Sequence, residues 1–90
     1  MSRQRSLEKI MISEYVSIGE LARLTSCRYS TLKFYTEEGM LPFEQEEERL
    51  TRRYPREASV ERVSWICEQR QQGKSISEIK NLIEESRELL

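Results

Sequence analysis

The chain has 90 residues, of which 37% are hydrophobic and 34% charged, so we expect one globular domain built on a single small core. It contains neither His nor Asp, which removes the usual general base, the usual triad carboxylate and most zinc ligands, so we expect no enzyme, no cofactor and no metal site. The net charge of −1 argues weakly against nucleic acid, but a binding face needs local charge rather than net charge.

Residues 1–14 are predicted to form a short N-terminal arm that is partly helical. Leu7, Ile10 and Met11 have the i, i+3, i+4 spacing of one helical face. This face has no evident place in the core of residues 15–90, so we expect it to contact another copy of the chain.

Two short helices follow the arm. Ser17 and Glu20 match a capping box, and the apolar stripe after them predicts a helix from about Ile18 to about Leu24. A short turn separates it from a second helix, which is predicted to end at Gly39. Two short helices joined in this way form a helix-turn-helix, whose second helix can lie in the DNA major groove.

The polar segment after Pro42 separates its charges. Glutamates come first and arginines follow: Glu44, Glu46, Glu47 and Glu48, then Arg49, Arg52, Arg53 and Arg56. The alternating stretch RLTRRY is predicted to return as the second strand of a small hairpin, which beside a helix-turn-helix is a wing. A charge run is often only a solvated face. For the arginines we favour contact with DNA over a merely solvated face. For the glutamates, a solvated face and a functional role are equally open.

Two more helices complete the predicted fold. The first begins near Val60, places Val63, Ile66 and Cys67 on one face, and stops at Gly73. The second follows another capping box and carries an apolar stripe. The capping pair is Ser75 and Glu78, and the stripe comprises Ile76, Ile79, Leu82, Ile83 and Leu90.

The remaining features indicate location and packing. No apolar run reaches the roughly 20 residues of a membrane span, no secretory leader opens the chain, and Cys27 and Cys67 form no disulfide-rich pattern. We therefore expect a cytoplasmic protein without membrane contact, in which both thiols and Trp65 are packing residues.

Three segments follow one another over about residues 15–83, and their order and spacing are informative: IGELARLTSCRYSTLKFYTEEGMLP, RRYPREASVERVSWI and GKSISEIKNLI. Their most specific parts are Phe34-Tyr35 before EEGMLP, the RRY triplet, and Gly73 followed by Ser75. Together they resemble the winged-helix DNA-binding domain of the MerR family of bacterial transcription regulators. The resemblance implies a mainly α winged helix-turn-helix with a small β-hairpin over residues 15–90.

The resemblance also implies a set of DNA contacts. In that family the helix after the turn reads the major groove, while the hairpin and the following helices hold the flanking phosphates. The groove-facing positions are then Arg28, Tyr29, Ser30 and Lys33, the backbone contact is Tyr35, and the wing contacts are Arg52 and Tyr54, with Arg49, Arg53 and Arg56 adding charge. Helical spacing agrees in part, since Tyr29, Ser30 and Lys33 share one stripe and Leu32 lies on another.

The aromatic residues have competing interpretations. Phe34 fits packing better than a base contact. Tyr35 fits both roles, with its ring in the core and its hydroxyl at a phosphate. Tyr54 either contacts DNA or pins the hairpin to Trp65 or its neighbours.

The sequence departs from the family pattern where specificity is set. A small residue is usual at the position of Arg28, an arginine at that of Ser30, and arginine is commoner than lysine at position 33, so base preference is not inherited. The family's usual long dimerisation helix and effector segment do not follow, so we expect no metal or drug sensor and no small-molecule effector.

We expect sequence-specific binding of double-stranded DNA by a small bacterial transcription regulator that forms a homo-oligomer on DNA. Candidate surfaces between copies are the arm face and the end of the last helix, which carries Leu82, Ile83, Leu89 and Leu90. Two alternatives stay open: a DNA-bending accessory or excisionase-like factor of a mobile element, and a protein-interaction module that has lost DNA binding.

Overall fold

The computed structural model describes residues 5–45 and 51–88. In chain order its elements are α1 (Leu7–Ile12), β1 (Tyr15–Val16), α2 (Ile18–Thr25), α3 (Tyr29–Glu37), β2 (Tyr54–Pro55), α4 (Arg56–Gln71) and α5 (Ile76–Glu88). The predicted mainly α winged fold is confirmed. No helix within the described ranges is long and apolar enough to cross a membrane. Some predicted residues lie outside these ranges, namely Glu46, Glu47, Glu48, Arg49, Leu89 and Leu90.

Local sequence explains where α2 begins and ends and where α3 ends. The Ser17 hydroxyl accepts from the Glu20 backbone N–H at 3.2 Å, and the Glu20 carboxylate accepts from the Ser17 N–H at 2.9 Å, which is the predicted capping box. Ser26 ends α2 at φ 57°, a left-handed conformation that lets the chain reverse within a short turn. Gly39 follows α3 at φ 75°, where it has no Cβ to be strained.

The strands pair differently from the predicted hairpin. Glu44 and Arg53 exchange backbone hydrogen bonds of 2.7 and 2.9 Å, an isolated bridge at the base of the wing. The two-stranded sheet instead joins β2 antiparallel to β1, with Val16 opposite Tyr54. The sequence does not predict β1, because two residues are too few to show an alternating pattern.

The helices after the wing also match the predicted order, with one shifted boundary. α4 begins at Arg56, before the predicted start at Val60. The prediction was late because the apolar periodicity on which it rests begins only at Val60. The backbone N–H of Arg56 donates to the carbonyl of Glu14 at 2.9 Å, so the segment between α1 and β1 satisfies one of the free N–H groups at the start of α4. α5 begins at the predicted capping box, in which Ser75 and Glu78 bond reciprocally at 3.0 and 3.1 Å.

One core joins these elements, and the arm belongs to it. Fully buried side chains come from α1 to α5: Ile10, Val16, Leu21, Leu32, Met40, Tyr54, Val63, Ile66 and Ile79. Ile10 is 0% exposed, so the expectation that the arm has no role in the core is wrong. Trp65 packs half-buried against the core rather than within it.

An ion pair also fastens the arm to the helix-turn-helix. Arg5 donates to the two carboxylate oxygens of Glu20 at 2.6 and 2.7 Å. These bonds lower the pKa of Glu20 to about 2 from its ordinary 4.5. Because Glu20 also closes the capping box of α2, the arm and the start of α2 share one polar contact.

Candidate nucleic-acid interface

α3 separates an inward apolar side from an outward polar side. Leu32 and Tyr35 are 0% and 7% exposed and belong to the core. The predicted groove-facing positions, Arg28, Tyr29, Ser30 and Lys33, are all exposed. The spacing of a 3.6-residue helix produces this separation, so the start of α3 presents a continuous solvent-facing surface.

A groove runs between α3 and the wing. Tyr29 and Lys33 line it from α3, and Gln45, Thr51 and Arg52 line it from the wing. The guanidinium of Arg52 lies 4.9 Å from the centroid of the Phe43 ring, a cation–π contact that holds the charge beside the groove. The groove therefore brings predicted residues of the recognition helix and of the wing together.

Arg52 and Arg53 lie on opposite faces of the wing, since successive side chains alternate along an extended strand. The guanidinium of Arg53 lies 5.2 Å from the centroid of the Tyr15 ring. The Tyr15 hydroxyl donates to the Glu44 carboxylate at 3.1 Å, and this bond raises the pKa of Tyr15. The described arginines of the predicted cluster are thus divided: among Arg52, Arg53 and Arg56, only Arg52 lines the groove beside α3.

Tyr54 lies inside the domain with 0% exposure. Its hydroxyl is 2.9 Å from Oγ1 of Thr36, which donates its own proton to the carbonyl of Leu32 at 2.8 Å, so Tyr54 is the donor of the pair. Tyr54 also borders the groove beside α3, but its burial leaves little surface for the predicted DNA contact. The alternative that Tyr54 pins the wing matches the structure, in which its hydroxyl bonds to Thr36 of α3.

Arg56 is engaged in contacts that stabilise the arm. Its Nε donates to the carbonyl of Ser13 at 2.7 Å, and its guanidinium lies 3.6 Å from the Glu57 carboxylate. The side chain lines a groove with Met11 and Leu24, away from the residues of α3. Arg56 therefore does not lie with the predicted DNA-contacting residues.

A second groove flanks α3 on the side away from the wing. Its lining includes Ser30, Phe34 and Tyr35 from α3, Arg70 from α4 and Ile76 from α5. Phe34 is 42% exposed, with its ring centroid 6.1 Å from that of Tyr35. Burial raises the pKa of the Tyr35 hydroxyl, whereas the positive charge of Arg70 acts to lower it.

Several described cations make no hydrogen bond, ion pair or aromatic-ring contact through their side chains with the residues that the structure describes. They are Lys9, Arg28, Lys33 and Arg70. Arg28 immediately precedes α3, Lys33 lies on it, and Arg70 lines the groove beside it. Positive charge without an internal partner is therefore concentrated around α3, where an external anion can approach.

Comparison with known proteins shows the family to which this domain is related. The family model for the MerR HTH family regulatory protein matches residues 16–86. The chain belongs to the MerR family. A curated relative, the HTH-type transcriptional regulator ZntR homolog of Haemophilus influenzae, is 34% identical over 68 residues, which are 76% of this chain and 50% of that protein. No solved structure matches the chain.

This MerR-family chain thus spans half the length of that relative. The family comprises transcription regulators rather than enzymes. Within residues 5–45 and 51–88, no group of three or more His, Cys, Asp or Glu side chains lies together in a way that could hold a metal ion.

The fold of this MerR-family domain brings together its two cysteines, which are far apart in sequence. Cys27 lies in the turn before α3, Cys67 lies in α4, and both are free and half-buried. Burial raises the pKa of the Cys67 thiol, and the neighbouring Cys27 thiol raises it further. Both residues pack against the core, as predicted, but no sequence pattern indicates that they are neighbours.

Proposed function

We propose that this MerR-family domain binds double-stranded DNA with α3 in the major groove and acts as a sequence-specific transcription regulator in the cytoplasm. The observation that carries the proposal is the convergence of Arg28, Lys33 and Arg52 around the exposed start of α3. Such local positive charge suits the phosphate backbone even where the chain as a whole is nearly neutral.

The positions on α3 favour different kinds of contact. The first residues of a recognition helix reach the base edges in the major groove, which assigns base readout to Tyr29, Ser30 and Lys33. A lysine ammonium in that position can donate to the acceptors of guanine. Arg52 is held at the wing by Phe43, so we propose that it contacts a phosphate. Such a contact fixes the orientation of the protein without reading the base sequence.

Binding measured at several salt concentrations tests the proposal. Titrations should use a duplex selected by the protein from random sequence, a random duplex and a single strand of equal length. We expect the selected duplex to bind best, with log affinity falling against log salt at a slope of about −3 to −5. A slope near zero, or equal affinity for all the nucleic acids, would contradict the proposal.

We further propose that two or more copies assemble on DNA, because one small domain gathers few base contacts. α1 offers a surface: Leu7, Met11 and Ile12 are 46%, 55% and 82% exposed. Deleting the arm is a poor test, since it would also remove Ile10 from the core.

Leu7→Gln combined with Met11→Gln tests the surface without that damage. We expect the double variant to keep its affinity for a single site and to lose cooperativity on a duplex with two sites. Unchanged cooperativity would exclude α1 as the interface, and would favour the end of α5.

A further inference from the structure

A groove between α4 and α5 combines an apolar wall with one cation. Its volume is about 310 Å³, at the lower end of the range for small-molecule sites. Its described lining residues differ from those of both grooves beside α3. Residues about one turn apart on each helix face it: Arg62 and Trp65 from α4, and Leu82, Ile83 and Ser86 from α5.

Arg62 is a half-buried cation that has no carboxylate partner in the described part of the chain. Its Nη1 donates to the carbonyl of Met40 at 2.9 Å, and it takes part in none of the described ion pairs. Burial, and after it the positive charge of Arg87, lower the pKa of Arg62. Because arginine nevertheless stays protonated in proteins, a bound anion relieves this electrostatic cost.

The rest of the groove is mainly apolar. Trp65 packs half-buried against the core, Leu82 is half-buried, and Ile83 is 4% exposed. An inorganic anion at Arg62 leaves this surface in water, whereas an aromatic or aliphatic group attached to the anion covers it. The lining therefore favours an anion that carries an apolar body.

We propose that the groove between α4 and α5 binds a small organic carboxylate, with its charge at Arg62 and its apolar body against Trp65 and Leu82. Met40 occupies Nη1 of Arg62, which leaves Nε and Nη2 as a planar pair of donors for the two carboxylate oxygens. No local sequence pattern indicates this site, because its residues come from two helices.

Trp65 provides a direct probe, since it is the single tryptophan of the chain and its indole N–H gives one resonance in a proton–nitrogen correlation spectrum. Titration with phenylacetate or octanoate should shift this resonance to saturation. Phenylacetamide has the aromatic body without the charge, and acetate has the charge without the body. We expect phenylacetamide to bind about tenfold more weakly than phenylacetate or worse, and acetate to bind weakly as well, because it buries little apolar surface.

Arg62→Gln tests the cation, and Arg23→Gln is its matched control. Arg23 also donates through Nη1 to a backbone carbonyl, that of Arg5 at 3.0 Å, but it lies on α2. We expect Arg62→Gln to weaken phenylacetate binding about tenfold or more, and Arg23→Gln to leave it unchanged. Arg62→Lys should recover part of the affinity, since it keeps the charge but loses the planar fork.

Three results would overturn the site. They are the lack of a saturable shift with both phenylacetate and octanoate, equal binding of phenylacetate and phenylacetamide, and equal losses in Arg62→Gln and Arg23→Gln. Thermal melting shows whether each variant folds. If Arg62→Gln does not fold, the comparison of phenylacetate with phenylacetamide on the unsubstituted protein decides the role of the charge.

A second copy of the chain is the competing occupant of the groove. A Trp65 resonance that moves with protein concentration, and not with phenylacetate, would assign the groove to that copy and overturn the proposal. DNA enters none of these measurements. Failure of the carboxylate site therefore leaves the proposed function intact, and failure of DNA binding leaves this site intact.

Discussion

The Tyr54 hydroxyl donates to Oγ1 of Thr36 over 2.9 Å, inside the core. This hydrogen bond joins strand β2 of the wing to α3, the second helix of the helix-turn-helix. Because Thr36 is 4% exposed and donates in turn to the Leu32 carbonyl, the bond cannot exchange readily with water. The position of the wing relative to α3 is therefore set within the core rather than at the surface.

Tyr54→Phe should lower stability without changing the DNA contacts. It removes one buried hydrogen bond, worth about 1 kcal/mol, which corresponds to a fall in Tm of about 4–8 °C for a domain of this size. The ring remains, and no part of Tyr54 is exposed, so the salt slope of DNA binding at low temperature should not change. Circular dichroism and a salt titration check this. A flatter slope would show that Tyr54 reaches a phosphate after all.

Arg52→Gln and Arg53→Gln should differ in their effect on DNA binding. Arg52 lies in the groove beside α3, whereas the guanidinium of Arg53 lies against Tyr15 on the other face of the wing. We expect Arg52→Gln to weaken binding to all duplexes by the same factor and to flatten the salt slope of that binding by about one. Arg53→Gln should do neither. Equal losses from the two substitutions would show that both faces of the wing meet DNA.

Lys33→Gln should alter the preferred sequence rather than only the affinity. Lys33 is exposed on α3 and lines the groove with Tyr29, where a base contact discriminates by about 1–3 kcal/mol. Selection from random duplexes should therefore return a different consensus for the variant. An unchanged consensus with uniformly weaker binding would assign Lys33 to a phosphate.

The Arg5–Glu20 contact predicts a stability change in acid. The pKa of Glu20 is lowered from 4.5 to about 2 in the folded protein, so its contribution is complete above pH 4.5 and is lost as the pH falls towards 2. Glu20→Gln preserves the capping geometry, since glutamine also closes a capping box, but removes the charge. We expect the variant to be less stable at pH 7 and to lose less stability than the unsubstituted protein on acidification.

Urea unfolding at pH 7 and in the acid range measures this difference. Glu8→Gln serves as the control, because the Glu8 side chain is exposed and forms no hydrogen bond or ion pair with other described residues. Identical acid sensitivity in Glu20→Gln and the unsubstituted protein would mean that the Arg5 contact does not stabilise the domain in solution.

Ile10→Ala and Met11→Ala should separate the two sides of α1. Ile10 is 0% exposed and its truncation leaves a cavity, at a cost of about 2–5 kcal/mol. Met11 is 55% exposed, so its truncation should change the free energy of unfolding by less than about 0.5 kcal/mol. Urea denaturation of both variants checks this. A small effect at Ile10 would show that the arm detaches from the core in solution.

Much of the fold follows from local sequence. The capping boxes at Ser17 and Ser75 and the turn glycine at Gly39 act within a few residues, and α2, α3 and α5 begin or end where these signals stand. The exposed positions of α3 are also predictable, because helical spacing alone places Tyr29 and Lys33 away from Leu32. The alternating stretch RLTRRY also predicts the wing, although this local pattern is short, and the family resemblance agrees with it.

The sequence by itself determined the order of the helices, the helix-turn-helix and the polar face of α3, since each depends on residues within one or two helical turns. Only the tertiary structure decided which charges remain available. It buried Tyr54 against Thr36, placed the guanidinium of Arg53 against Tyr15 rather than beside α3, and brought Arg70 beside α3. These outcomes depend on contacts between residues far apart in the chain, whose packing no local period or spacing encodes.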